Sequence, residues 1–182
     1  MLPRIVSGLV ALLLVGAMVT GCSGQPAPEP STPSAPTFAT DEEAFAAAEE
    51  TYRAYVDATN AVDLADPATF ASVFTLLTDD AAADARKQYS QMHAEAWRLS
   101  GARQVVLVAV REPTSEISVA ALNVCLDVSD VEVVDPSGKS VVNTNRPDVQ
   151  SIAVELTSSA ESPTGLLITS IDGRDGEPTC DG

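Results

Sequence analysis

The chain has 182 residues, with 10 Lys+Arg against 26 Asp+Glu and a net charge of −16. Acid in such excess repels phosphate backbones and offers no polybasic patch to anionic lipid, which argues against nucleic acid as a partner and against electrostatic membrane binding. A single histidine, three cysteines and no Cys-x-x-Cys argue against a zinc site, and no metal or cofactor is expected. In chain order, Arg4 precedes an uncharged, largely apolar run over 5–19, which leads into Gly21 and Cys22. A basic start, a short apolar core and small residues form a secretory signal. The run is shorter than the ~20 residues of a membrane-spanning helix.

The stretch Val19-Thr20-Gly21-Cys22 resembles the lipobox of bacterial lipoproteins, with Gly21 and Cys22 matching and Val19 and Thr20 as departures. The resemblance implies a signal peptide over 1–21 and a lipid, palmitate included, on an N-terminal Cys22. It also implies a cell-membrane anchor on the extracytoplasmic face of the envelope. Residues 22–39 carry Pro26, Pro28, Pro30, Pro33 and Pro36, which neither continue a helix nor donate to a ladder. They read as an extended tether. The remaining residues, 40–182, are enough for one domain with its own core. With Cys22 assigned to lipid, Cys125 and Cys180 form an even pair in an exported chain and are expected to be disulfide-bonded.

Thr40 and Glu43 have the spacing of a capping box, and Phe45, Ala48, Tyr52, Tyr55, Val56 and Thr59 recur at steps near three and four, predicting an amphipathic helix. Asp66-Pro67 starts a short second helix through Phe70, Val73, Phe74 and Leu77. Thr78 starts a third, whose apolar face is Ala82, Ala85, Tyr89, Met92, Ala96 and Leu99, with Gly101 as its C-terminal cap. The period then becomes extended. Residues 104–111 are apolar on both faces, predicting a strand covered on both sides. A long strand is expected over 116–129, with Leu122, Val124, Leu126 and Val128 on one face and Asn123, Cys125 and Asp127 on the other. A turn at 135–139, a return beginning at Val141 and Val142, and strands over 150–158 and 164–171 complete the pattern. Helices first and strands after predict an α+β domain: N-terminal helices packed on a curved antiparallel sheet.

This element order resembles the nuclear transport factor 2-like fold of many actinobacterial lipoproteins. Local support comes from Asp66-Pro67, Glu95-x-Trp97, Gly101 before a valine strand, and Cys125-Leu126-Asp127. The resemblance implies a cone between helices and sheet, with Tyr52, Tyr55, Tyr89 and Trp97 as candidate pocket residues. Enzymes of that fold place an acid–base His or Asp inside the cone, and no residue here matches one. His93 has no partner on its own helix face, Glu95 being two residues away. Asp127 lacks an oxyanion partner in the sequence. The expectation is a non-enzymatic envelope lipoprotein, an interaction or ligand-binding module for an unidentified envelope protein or small apolar ligand. The alternatives are an isomerase- or dehydratase-type enzyme acting on an apolar ligand, and a structural envelope spacer.

Overall fold

The computed structural model describes residues 34–180. The expected signal peptide, Cys22 and most of the tether lie outside the described residues. Helix α1 (Asp41–Asn60) begins where the capping box places it. Thr40 Oγ1 accepts the Glu43 N–H at 3.1 Å, and Glu43 Oε2 accepts the Ala39 N–H at 2.9 Å, one residue before the position of the usual box. Asp41, Glu42 and Glu43 stand at the positive end of the helix dipole. Ala48, Thr51, Tyr52, Val56 and Thr59 form the buried stripe. Asp66 accepts the Ala68 N–H at 3.0 Å, and Pro67 opens a 3-10 turn, Pro67–Phe70, that runs into the single turn of α2 (Ala71–Phe74).

Helix α3 (Asp79–Ala94) ends earlier than expected. Ala96 adopts φ 54°, its N–H reaches His93 O at 3.0 Å, and the Trp97 N–H reaches Met92 O at 3.0 Å. This closure is a Schellman motif with alanine in the left-handed position usually given to glycine. It turns Leu99 out of the helix and into strand β1 (Arg98–Ser100), which pairs with β4 (Glu132–Val134). Gly101 is therefore not the helix cap. It lies at φ 79° in the turn after β1, and a Cβ there would fall 1.8 Å from the carbonyl oxygen of Asp130. The close backbone approach, together with the positive φ, requires glycine.

The main sheet has four antiparallel strands, β2 (Gln104–Arg111), β3 (Ala120–Asp127), β5 (Val149–Ser158) and β6 (Leu166–Gly173), in the order β2-β3-β5-β6. Register shifts between Val105 and Leu107 and between Glu155 and Leu156 mark bulges, which bend the strands that carry them. Strand β3 is shorter than expected because Ser115 and Ser118 close a turn before it, Ser118 N–H to Ser115 O at 3.2 Å. The turn after β4 forms around the Asp135 carboxylate, which accepts the N–H groups of Ser137 and Lys139. The expected return strand at Val141 and Val142 does not form. One bridge, Val134 to Ser140, is made there.

Alternation decides the two faces of the sheet. Leu122, Val124, Leu126 and Val128 are buried against the helices, in one core with Tyr52, Val73, Val154, Leu156, Leu166 and Ile168. Cys125 faces the other way, as its place in the alternation requires. It is bonded to Cys180, with Cα atoms 5.4 Å apart. The tail thus crosses the back of the sheet, where Arg174 donates to the carbonyls of Gly176 and Pro178.

Strand β2 is not covered on both sides. It is an edge strand, with Val106 57% and Val110 69% exposed. Its valines carry β-propensity whether or not another layer packs on them, so composition alone overstates its burial. The opposite edge is partly closed, because the Thr78 N–H bonds to Ile168 O and the Ile168 N–H bonds to Leu76 O. No described helix is long and apolar enough to cross a membrane.

Candidate functional site

Helices α1 and α3 do not seal the concave side of the sheet. Between them lies a cavity of about 300 Å³. Tyr52, Tyr55 and Thr59 of α1 form one wall, and Gln88, Tyr89 and Met92 of α3 form a second. Leu126, Ile152 and Ile171 of the sheet form the floor, with Val128, Val131 and Val133 beside them. Arg103, before β2, and Arg146, before β5, also line it. The volume is at the lower end of small-ligand sites, and its walls are mostly apolar with a few polar groups, as such sites are.

Three of the four aromatic residues expected at a pocket, Tyr52, Tyr55 and Tyr89, line this cavity. Trp97 does not. The reversal at Ala96 carries it away, and it packs half-buried against the core instead. The Tyr52 and Tyr55 rings are in contact, with centroids 5.9 Å apart. Burial pushes the Tyr55 hydroxyl up to about 12, and it raises Tyr52 and Tyr89 as well. Arg103 pulls all three the other way without reversing the shift. All three are thus neutral hydroxyls at physiological pH. The Tyr52 side chain is fully buried, and its Oη has no hydrogen-bond partner among the described residues.

No local pattern in the sequence marks the two arginines. Arg103 is fixed through its backbone: its N–H donates to Asn60 Oδ1 at 2.9 Å, and Asn60 Nδ2 donates back to Arg103 O at 3.0 Å. Its guanidinium makes one long bond, Nη1 to Thr59 O at 3.4 Å. Arg146 is more engaged, with Nη2 donating to Val128 O at 2.8 Å and Val131 O at 3.0 Å. The one signal in the sequence was scarcity, since a basic residue in so acidic a chain is an exception wherever it falls.

A broader depression of about 970 Å³ lies against the C-terminal tail, between Asp148, Asp172, Arg174 and Cys180. It meets the cavity at Gln150, Ile152 and Ile171. It is lined by the start of β5, the end of β6 and the tail, and it is more open to solvent than the cavity, so it would leave much of a small ligand in water. The cavity between helices and sheet is the better candidate.

The two acid–base candidates stand off the cavity wall. His93 Nδ1 is 2.7 Å from Leu64 O, and its ring meets the Phe70 ring edge-on. Glu95 accepts from Gln91 instead of reaching the imidazole. Asp127 lies on the strand face opposite Leu126 and accepts the Ser129 N–H and hydroxyl at 2.8 and 2.7 Å. The Ser129 backbone N–H and then its hydroxyl hold this carboxyl below its ordinary value. His93→Ala and Asp127→Asn should therefore leave ligand binding in the cavity unchanged. Calorimetric titration of the two variants checks this, and a loss of binding in a variant that still melts normally would place that residue in the site.

Together these elements make an α+β domain with a cavity between its helices and its sheet. No family model matches the sequence, and no curated protein matches it. Among solved structures, the Agrobacterium tumefaciens VirB8 protein is similar at 12% identity, over 79% of this chain and 99% of that chain, with a TM-score of 0.42. A de novo designed β-sheet protein is similar at 14% identity, over 76% of this chain and 91% of that chain, with a TM-score of 0.28. Likeness at this level carries no argument about function.

Proposed function

We propose that the chain is a lipid-anchored, non-enzymatic binding module on the extracytoplasmic face of the membrane. In this reading 1–21 is a signal peptide, Cys22 carries the lipid, 22–39 is the tether, and 40–182 is a nuclear transport factor 2-like domain. That domain takes a small apolar ligand between α1, α3 and the sheet. The observation that carries the binding function is the cavity itself, walled by three neutral tyrosines and apolar side chains from both layers. The positions of His93 and Asp127, both away from it, favour binding over acid–base chemistry.

Native mass spectrometry of the membrane-extracted protein should show a co-purifying small molecule, and Val133→Trp, which narrows the cavity, should remove it. Equal occupancy in a Val133→Trp protein that melts normally would overturn the reading. The anchor is tested separately. Intact mass should show diacylglycerol on an N-terminal Cys22, and Cys22→Ala should give soluble protein or unprocessed precursor. A mature N-terminus elsewhere, with Cys22 unmodified, would remove the anchor.

A second reading, a module that docks a protein, is favoured by one observation. The edge strand β2 exposes Val106 and Val110, and Ile117 and Val119 are exposed in the segment between β2 and β3. Exposed apolar side chains on an unpaired edge are a common means of protein association.

A further inference from the structure

Resting on the binding reading above, we infer that the ligand is an apolar carboxylic acid, bound as its anion with the carboxylate at Arg103 and the apolar body among the tyrosines. The chain has 26 acidic residues, yet no aspartate or glutamate stands among the described residues lining the cavity, and two of the 10 basic residues do. The charged side chains that line the cavity are therefore both cationic, in a protein whose total charge is strongly negative. A cleft lined by one sign of charge, with low-dielectric walls, concentrates ligands of the other sign.

Arg103 is built to receive such a group. Asn60 clamps its backbone from both sides, which fixes where the side chain starts. Its one bond, the 3.4 Å contact with Thr59 O, occupies a single nitrogen of a five-donor fork, and no carboxylate pairs with it among the described residues. A planar guanidinium matches a carboxylate through two parallel hydrogen bonds. Arg146 has its Nη2 committed to Val128 O and Val131 O, so it adds positive potential while holding the loop.

Tyr52, Tyr55 and Tyr89 give the wall neutral aromatic surface. The apolar part of the specificity comes from Met92, Leu126, Val128, Ile152 and Ile171. A bare inorganic anion would leave that surface unused, and a hydrocarbon would leave Arg103 unused.

The test uses the full-length protein in zwitterionic lipid nanodiscs, with empty nanodiscs as the blank. Calorimetric titration compares 4-phenylbutyrate with its neutral twin, 4-phenylbutyramide. The acid is expected to bind about 10-fold or more tightly than the amide, the scale of one charge-assisted interaction. Arg103→Gln should weaken the acid by about the same factor and leave the amide unchanged, with Arg103→Lys recovering part of the loss. If acid and amide bind equally, or Arg103→Gln weakens both alike, the anion assignment is wrong while the cavity remains a binding site. If neither binds the wild-type protein, the binding reading fails with it. The comparison of acid with amide on the wild-type chain decides the matter even where a variant does not fold.

Discussion

Reduction of the Cys125–Cys180 bond should lower the melting temperature by roughly 10 °C and open the C-terminal tail to protease. The bond closes a loop with a sequence separation of 55. Loop-closure entropy for that length corresponds to about 4 kcal/mol, an upper figure in the chain-entropy account. At the temperature shift per kcal/mol usual for a domain of this size, that gives roughly the drop stated. The tail has little else to hold it. Asp175, Gly176 and Glu177 are exposed; the Arg174 N–H donates to Ser151 O of β5 at 3.1 Å, while its guanidinium bonds within the tail, to the carbonyls of Gly176 and Pro178. Cys125 itself is 2% exposed, so reduction in the folded state should be slow and should accelerate as the tail frays. Calorimetry with and without reductant, with thiol labelling to prove complete reduction, checks the stability. Mass mapping of limited-proteolysis products should place new cuts after Arg174. An unchanged melting temperature in fully reduced protein would show that the bond does not contribute to stability.

Glu155→Ala should cost about 3 kcal/mol, the lower end for breaking a buried ion pair, because Arg111 keeps 27% of its side-chain surface exposed. Glu155 is buried on the back of the sheet, where Oε1 accepts from Arg111 Nη1 at 3.0 Å, the Thr114 N–H at 3.0 Å and the Thr114 hydroxyl at 2.6 Å. The carboxylate thereby ties the end of β2 and the segment after it to β5. Removal leaves a guanidinium and two donors without their acceptor, which costs more than the pair contributes. Burial alone would raise the Glu155 carboxyl, but the donors around it, the Thr114 hydroxyl foremost, outweigh burial and hold it below its ordinary value. A depressed folded value means the contribution is fully present above the ordinary glutamate value and is lost as pH falls through the folded one. The gap in melting temperature between wild type and Glu155→Gln should therefore be widest near neutral pH and close on acidification. A gap that stays constant down to pH 3 would contradict the charge-based account and leave only packing.

Short-range chemistry was legible in the sequence. The Thr40 cap, the Asp66-Pro67 start, the turn around Asp135 and the alternation through Leu122, Val124 and Leu126 depend on residues a few positions apart. Their geometry comes from local backbone preferences. The disulfide was also within reach, because once Cys22 is set aside two cysteines allow one pairing. Helical spacing together with the fold resemblance points to the three tyrosines, and their meeting at one cavity is a tertiary fact.

Tertiary structure alone decided the rest. Arg103 and Arg146 are far apart in sequence and meet because the segments before β2 and β5 end at the same side of the sheet. Glu155 finds Arg111 because β3 lies between their strands and brings the loop after β2 over β5. The helix reversal at Ala96 sends Trp97 to the core, although alanine gives no local sign of a left-handed residue. The exposure of β2 depends on what packs against it, which its valines do not encode. Caps, turns and alternation are set by neighbours along the chain. A cavity, a buried ion pair and an uncovered edge are set by which distant segments the packed core brings together.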